Sequence, residues 1–146
     1  MADAAPAECS SEGCNARHET MLRALDAVAE SGVDIVPLFF ERFYAACPEQ
    51  AALFCNRGSS EGLMVNEMLS MLLAQAGEEA WLPTMMRAQI NTHHDHGDIQ
   101  LEQYRVTLGL LLETMQAVAG ERWTPTFNKA WQDACDGLFG MIARYY

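Results

Sequence analysis

Apolar residues recur every three or four positions along most of the chain, which is the spacing of one buried face of an α-helix. No segment alternates between apolar and polar residues for long enough to predict a β-strand. Glycine, proline and serine interrupt the pattern and mark helix ends. The sequence therefore predicts an all-α domain of seven to eight helices. The clearest of them lie near residues 21–31, 35–46, 48–54, 61–76, 78–94, 99–118 and 125–142.

Polar residues and prolines mark the starts of two of these helices. Asp34 is placed to cap a helix that has Pro37 in its first turn, where the missing N–H costs little. Thr124 and Pro125 open the last helix in a similar way. The helix from residue 99 is apolar almost all round between Val106 and Leu112, which predicts that it is buried.

Composition limits the class of protein. The 146 residues suit one domain, which we assign to residues 15–146 after a flexible N-terminal tail at 1–14. Half of the residues are hydrophobic and a fifth are charged, as in a globular protein. The net charge of -11, with nine Lys and Arg, argues against a nucleic-acid partner and predicts repulsion from anionic membranes.

The N-terminal residues and the cysteines indicate a cytoplasmic location. Residues 1–14 have no basic start and no apolar core of a signal peptide, and no run reaches the ~18 apolar residues of a membrane span. Five cysteines are an odd number, which favours reduced thiols. Cys9 and Cys14 do not have the spacing of a standard zinc motif, so we assign them to the tail.

The strongest candidate for chemistry is a histidine cluster between two predicted helices. His93, His94 and His96 fall within four residues, and imidazole is the commonest protein ligand for a transition metal. A zinc site built from these three is one alternative, although neighbouring helical residues point about 100° apart and three such ligands rarely converge. A di-iron four-helix bundle is disfavoured, because no histidine has a glutamate three residues before it.

Three segments resemble a bacterial single-domain globin. Phe39–Tyr44 and Pro48–Phe54 are similar to its second and third helices, His94 with Ile99 and Tyr104 is similar to its proximal-histidine segment, and residues 130–135 resemble its last helix. The resemblance covers residues 16–142. It implies a globin fold of seven to eight helices around a pocket that holds haem b.

The resemblance implies that one histidine binds the haem iron, and it leaves two candidates. His94 is preferred, because it has Ile90 one helical turn earlier, where the family has an apolar residue under the porphyrin. The alternative is His93, which has Gly97 four residues later, as in many bacterial globins, but would place Gln89 under the porphyrin.

The same resemblance assigns residues around the haem. Phe54 would pack against haem, and Phe40 stands where many bacterial globins have an oxygen-binding tyrosine. Met64 and Met68 would face the gas, so that this side would have no strong hydrogen-bond donor and would retain oxygen weakly. Met64 as a sixth iron ligand is the less favoured alternative. Ile90, Ile99 and Tyr104 would contact haem on the proximal side.

The implied function is reversible binding of oxygen, carbon monoxide or nitric oxide, for oxygen transport or nitric oxide handling. Some bacterial globins polarise the proximal histidine through a tyrosine and a glutamate, but Tyr146 stands at the place of that glutamate, which disfavours peroxidase chemistry. Nitric oxide dioxygenation would require an external reductase. The alternative function is a gas sensor or a haem-free interaction module. The C-terminal residues 143–146, which include two tyrosines, are a candidate homodimer contact.

Overall fold

The computed structural model describes residues 11–54, 57–97 and 99–146. These residues contain helices and no strand, which confirms the predicted all-α class. None of the described helices has the length and apolarity needed to cross a membrane. The α-helices are α1 (Ser11–Glu30), α2 (Ile35–Ala46), α3 (Arg57–Ala76), α4 (Leu82–His96), α5 (Leu101–Ala119) and α6 (Pro125–Tyr145), and 3-10 helices span Pro48–Leu53 and Gly120–Arg122.

The first helix begins closer to the N-terminus than the sequence predicted. Cys14, which we had assigned to the tail, lies in α1 and is buried. Its position continues the apolar face of α1, where Met21, Ala24 and Val28 are also buried. The predicted tail boundary at residue 14 therefore falls inside a helix, and Cys9 lies outside the described residues.

Side-chain caps fix the starts of α2 and α6. The Asp34 carboxylate accepts a hydrogen bond of 3.0 Å from the Val36 backbone N–H, which confirms Asp34 as the predicted cap. The Thr124 hydroxyl accepts one of 3.1 Å from the Phe127 backbone N–H. Each cap satisfies a donor that would otherwise have no partner in the first helical turn.

The fourth helix is shifted toward the C-terminus relative to its predicted range. It starts at Leu82 because Glu78 has a φ of 53°, which a helix does not accept, and because Pro83 occupies the first turn. It ends at His96, where Gly97 is extended and its backbone N–H donates to the His93 carbonyl over 2.9 Å. This shift keeps all three clustered histidines in α4.

The last two helices form the centre of the core. α6 packs against α1, α3, α4 and α5, and its Trp131 is fully buried. In α5, Leu111 and Met115 are fully buried, whereas Val106 is exposed, so that the predicted apolar run is buried on one side only. The buried Thr114 hydroxyl donates to the Leu110 carbonyl over 2.7 Å.

Burial of Cys135 in α6 makes a prediction about alkaline pH. Burial, with a smaller effect of the Asp136 charge, raises the pKa of the Cys135 thiol from 9.0 to about 12. Between these values the unfolded chain loses a proton that the folded protein keeps, so the free energy of unfolding falls as pH rises, by at most about 1.4 kcal/mol per pH unit. Urea unfolding at pH 8 and pH 10 should show a smaller loss in Cys135→Ala than in the wild type. Equal losses would contradict the argument.

Candidate functional site

A cavity of about 390 Å³ lies between α3 and α4. Its inner end is closed by side chains of α5 and α6, including Leu108, Leu138 and Ile142. Its outer rim carries Leu53 and Leu63, which are 45% and 59% exposed. A cavity of this size with mostly apolar walls and a few polar groups has the character of a small-molecule site.

One face of α4 forms a wall of this cavity. Met86, Gln89, His93 and His96 all line it, and their spacing of three and four residues places them on the same side of the helix. Neighbouring residues on a helix point about 100° apart, and of the two adjacent histidines His93 lines the cavity whereas His94 is not among the described lining residues. The structure places His93 at the cavity and His94 outside it.

His93 is held by a hydrogen bond to α5. Its Nδ1 lies 2.8 Å from the Tyr104 hydroxyl oxygen. Burial lowers the pKa of His93, and the neighbouring His94 lowers it further. The negative charge of Glu67 raises this pKa, but its effect is smaller than that of burial. The imidazole is therefore neutral at pH 7, which is the form that binds a metal.

His94, and Ile90 on which the preference for it depended, are not among the described residues that line the cavity. His94 is exposed, and its ring centroid is 5.0 Å from that of Tyr146. Ile90 is buried in the core and is not among the described residues that line the cavity, whereas Gln89 is. Ile99 lines the cavity. Of the two candidate histidines, the structure therefore places His93 at the cavity and His94 outside the described lining.

The aromatic side chains from α2 and the following 3-10 helix close one end of the cavity. Phe54 lines it and packs edge-on against Phe43 and Phe40, with ring centroids 6.1 Å and 5.4 Å apart. Phe43 also lines the cavity. Phe40, predicted as a cavity residue, is buried behind these two rings and is not among the described lining residues.

The opposite wall comes from α3. Met64 and Met68 line the cavity, at the positions where the sequence placed them. Met71 continues the same face one turn further along. Ser60 also lines the cavity at the start of this helix, so that the wall carries one hydroxyl donor that the sequence argument had not included.

Sequence reasoning missed a polar pair that joins the two walls. The Gln89 amide on α4 donates a hydrogen bond of 3.1 Å to the Glu67 carboxylate on α3, and both side chains line the cavity. Glu67 could have been found from the sequence, because it lies three residues after Met64 and one before Met68 on the same helical face.

A zinc site built from the three clustered histidines has no support in the described part of the chain. There, no three His, Cys, Asp or Glu side chains lie close enough together to hold a metal ion. His93 and His96 share the cavity, while His94 lies outside it beside Tyr146. Of these three histidines, His93 is the one that is half-buried and lines the cavity.

Comparison with known families identifies the fold. A family model described as Globin matches residues 39–142, which is more than half of the chain. The match runs from α2 to α6 and includes every described residue that lines the cavity.

Proposed function

The chain belongs to the globin family, and on that premise we propose that it holds haem b between α3 and α4 with His93 as the iron ligand and reversibly binds diatomic gases there. Globins generally bind haem and such gases. The observation that carries the proposal is His93: it is a neutral imidazole in an apolar cavity, and its Nδ1 is already engaged by Tyr104.

The cavity residues fit a haem group in shape and in chemistry. The apolar side chains of Met64 and Met68 on one wall and Met86 on the other suit the two faces of a flat ring. Because Nδ1 of His93 faces the Tyr104 hydroxyl, Nε2 is the nitrogen for iron, in the arrangement by which proteins orient a metal-binding histidine.

Haem, if held by His93, would supply an iron that can bind oxygen, carbon monoxide or nitric oxide. The protein controls how electron-rich that imidazole is. Burial, with a smaller effect of Tyr146, raises the pKa of Tyr104 to about 12, so that its hydroxyl stays neutral. A neutral oxygen is a weak acceptor for the His93 N–H and leaves the ring an ordinary imidazole, which suits reversible gas binding better than cleavage of an O–O bond.

The α3 wall sets the polarity on the gas side. Met64 and Met68 offer no N–H or O–H donor to a bound ligand. Bound oxygen carries partial negative charge and depends on such a donor, whereas carbon monoxide depends on it much less. We therefore propose weaker retention of oxygen than in globins that have a tyrosine or glutamine facing the iron.

The first prediction concerns haem and its ligand. Purified protein with added haemin should show a strong Soret band that shifts under carbon monoxide after reduction. His93→Gly should abolish the normal spectrum, and added imidazole should restore it by filling the place of the lost ring. A general loss of folding would not be rescued by imidazole.

The matched control is His94→Gly, which changes the neighbouring residue in the same helical turn. It should keep the wild-type spectrum, because His94 lies outside the cavity. Loss of the spectrum in the His94 variant alone would overturn the assignment of His93. If the wild type shows no Soret band with haemin, the haem function itself fails.

The second prediction concerns Tyr104. Tyr104→Phe keeps the ring but removes the hydroxyl that holds His93, so we expect haem to dissociate roughly tenfold faster, as is common when a hydrogen bond to a metal ligand is removed. Transfer of haem to apomyoglobin measures this rate. Tyr145→Phe is the control, because Tyr145 packs under Arg87 instead of contacting His93. Equal acceleration in both variants would contradict a role for the Tyr104 hydroxyl.

A further inference from the structure

The cavity carries an unbalanced negative charge. Of the described side chains that line it, Glu67 is the one carboxylate, and none is a lysine or an arginine. Glu67 is half-buried, so water screens its charge only in part. An anion entering the cavity would therefore meet a carboxylate that no lysine or arginine of the described lining offsets.

The Glu67 carboxylate is held in place without being neutralised. It accepts a hydrogen bond of 3.1 Å from the Gln89 amide, which is a neutral donor. The bond fixes the carboxylate between α3 and α4, while the full charge remains. The neighbours of Glu67 on the same face of α3 are Met64, Met68 and Met71, which carry no charge.

The charge reaches the place where a ligand would bind. Glu67 acts electrostatically on His93, on the opposite wall, by raising its pKa against the larger effect of burial. Met64 and Met68, which flank Glu67 on α3, line the same cavity as His93. A ligand held between these walls therefore lies within the field of the carboxylate.

We propose that Glu67 makes the cavity select neutral ligands over anions of similar size. For ligands of the haem iron, the inference rests on the proposed function. For other small molecules that enter the cavity, it rests on the cavity alone. The repulsion between two unit charges several ångströms apart in a partly buried site corresponds to roughly a tenfold loss of affinity. Carbon monoxide, nitric oxide and oxygen are neutral, so this repulsion does not weaken their binding.

The experiment compares the wild type with Glu67→Gln, which keeps the side-chain size and can still accept the Gln89 hydrogen bond. Azide binding to the ferric protein should tighten roughly tenfold in the variant, while carbon monoxide binding to the ferrous protein stays within about twofold. Added salt should tighten azide binding in the wild type more than in the variant, because salt screens the repulsion.

The matched control is Glu61→Gln. Glu61 is on the same helix but outside the described cavity lining, where it accepts a hydrogen bond of 2.8 Å from the Tyr44 hydroxyl. The Glu61→Gln variant removes the same unit of charge from the protein as Glu67→Gln. Comparison of the two variants therefore separates an effect of charge in the cavity from an effect of net charge. Azide affinity that changes equally in both variants, or in neither, would overturn the proposal.

A haem-free measurement distinguishes failure of this proposal from failure of the haem function. The apoprotein is titrated with the anionic dye 1-anilinonaphthalene-8-sulfonate and with the neutral dye Nile red. Glu67→Gln should tighten binding of the anionic dye only. If haem does not bind, this selectivity still tests Glu67. If haem binds and neither azide nor the anionic dye distinguishes the variant from the wild type, the charge proposal is wrong and the haem function stands.

Discussion

The hydrogen bond between His93 and Tyr104 is the contact on which the site depends. It joins α4 to α5 over 2.8 Å and engages the Nδ1 nitrogen of His93. It also fixes the rotation of α4 about its own axis, because a helix that turns His93 toward Tyr104 must turn His94 away by about 100°. Gln89 and Met86 then follow His93 onto the cavity wall, and Ile90 is directed into the core.

The same rotation explains what the sequence could and could not predict. Helix spacing and the Asp34 cap were enough for the all-α class, and three short segments were enough to indicate the family. The choice between His93 and His94 required the helix phase, which adjacent histidines do not reveal. The sequence preference depended on the apolar Ile90, but in the structure the polar Gln89 lines the cavity, where it is hydrogen-bonded to Glu67 on the facing helix.

The ends of the helices were predicted from the sequence less accurately than the helices themselves. Glutamate favours a helix, yet the backbone of Glu78 has a φ of 53°, which a helix does not accept. Cys14 shows the opposite case. Its flanking residues are polar, as in a tail, but the buried face of α1 reaches back to it. In neither place do the residue types alone show where the helix begins.

The two walls of the cavity control different properties of a bound ligand. On the α4 side, burial keeps both His93 and Tyr104 neutral, which limits how strongly the protein can donate electron density to an iron. On the α3 side, Met64 and Met68 offer no hydrogen-bond donor and Ser60 supplies one hydroxyl at the start of the helix, while Glu67 adds the charge that we propose acts on anions. A site with a neutral imidazole, apolar sulfur and one carboxylate disfavours peroxide cleavage and anion binding for separate physical reasons. Both walls are therefore consistent with the function we propose, reversible binding of a neutral gas.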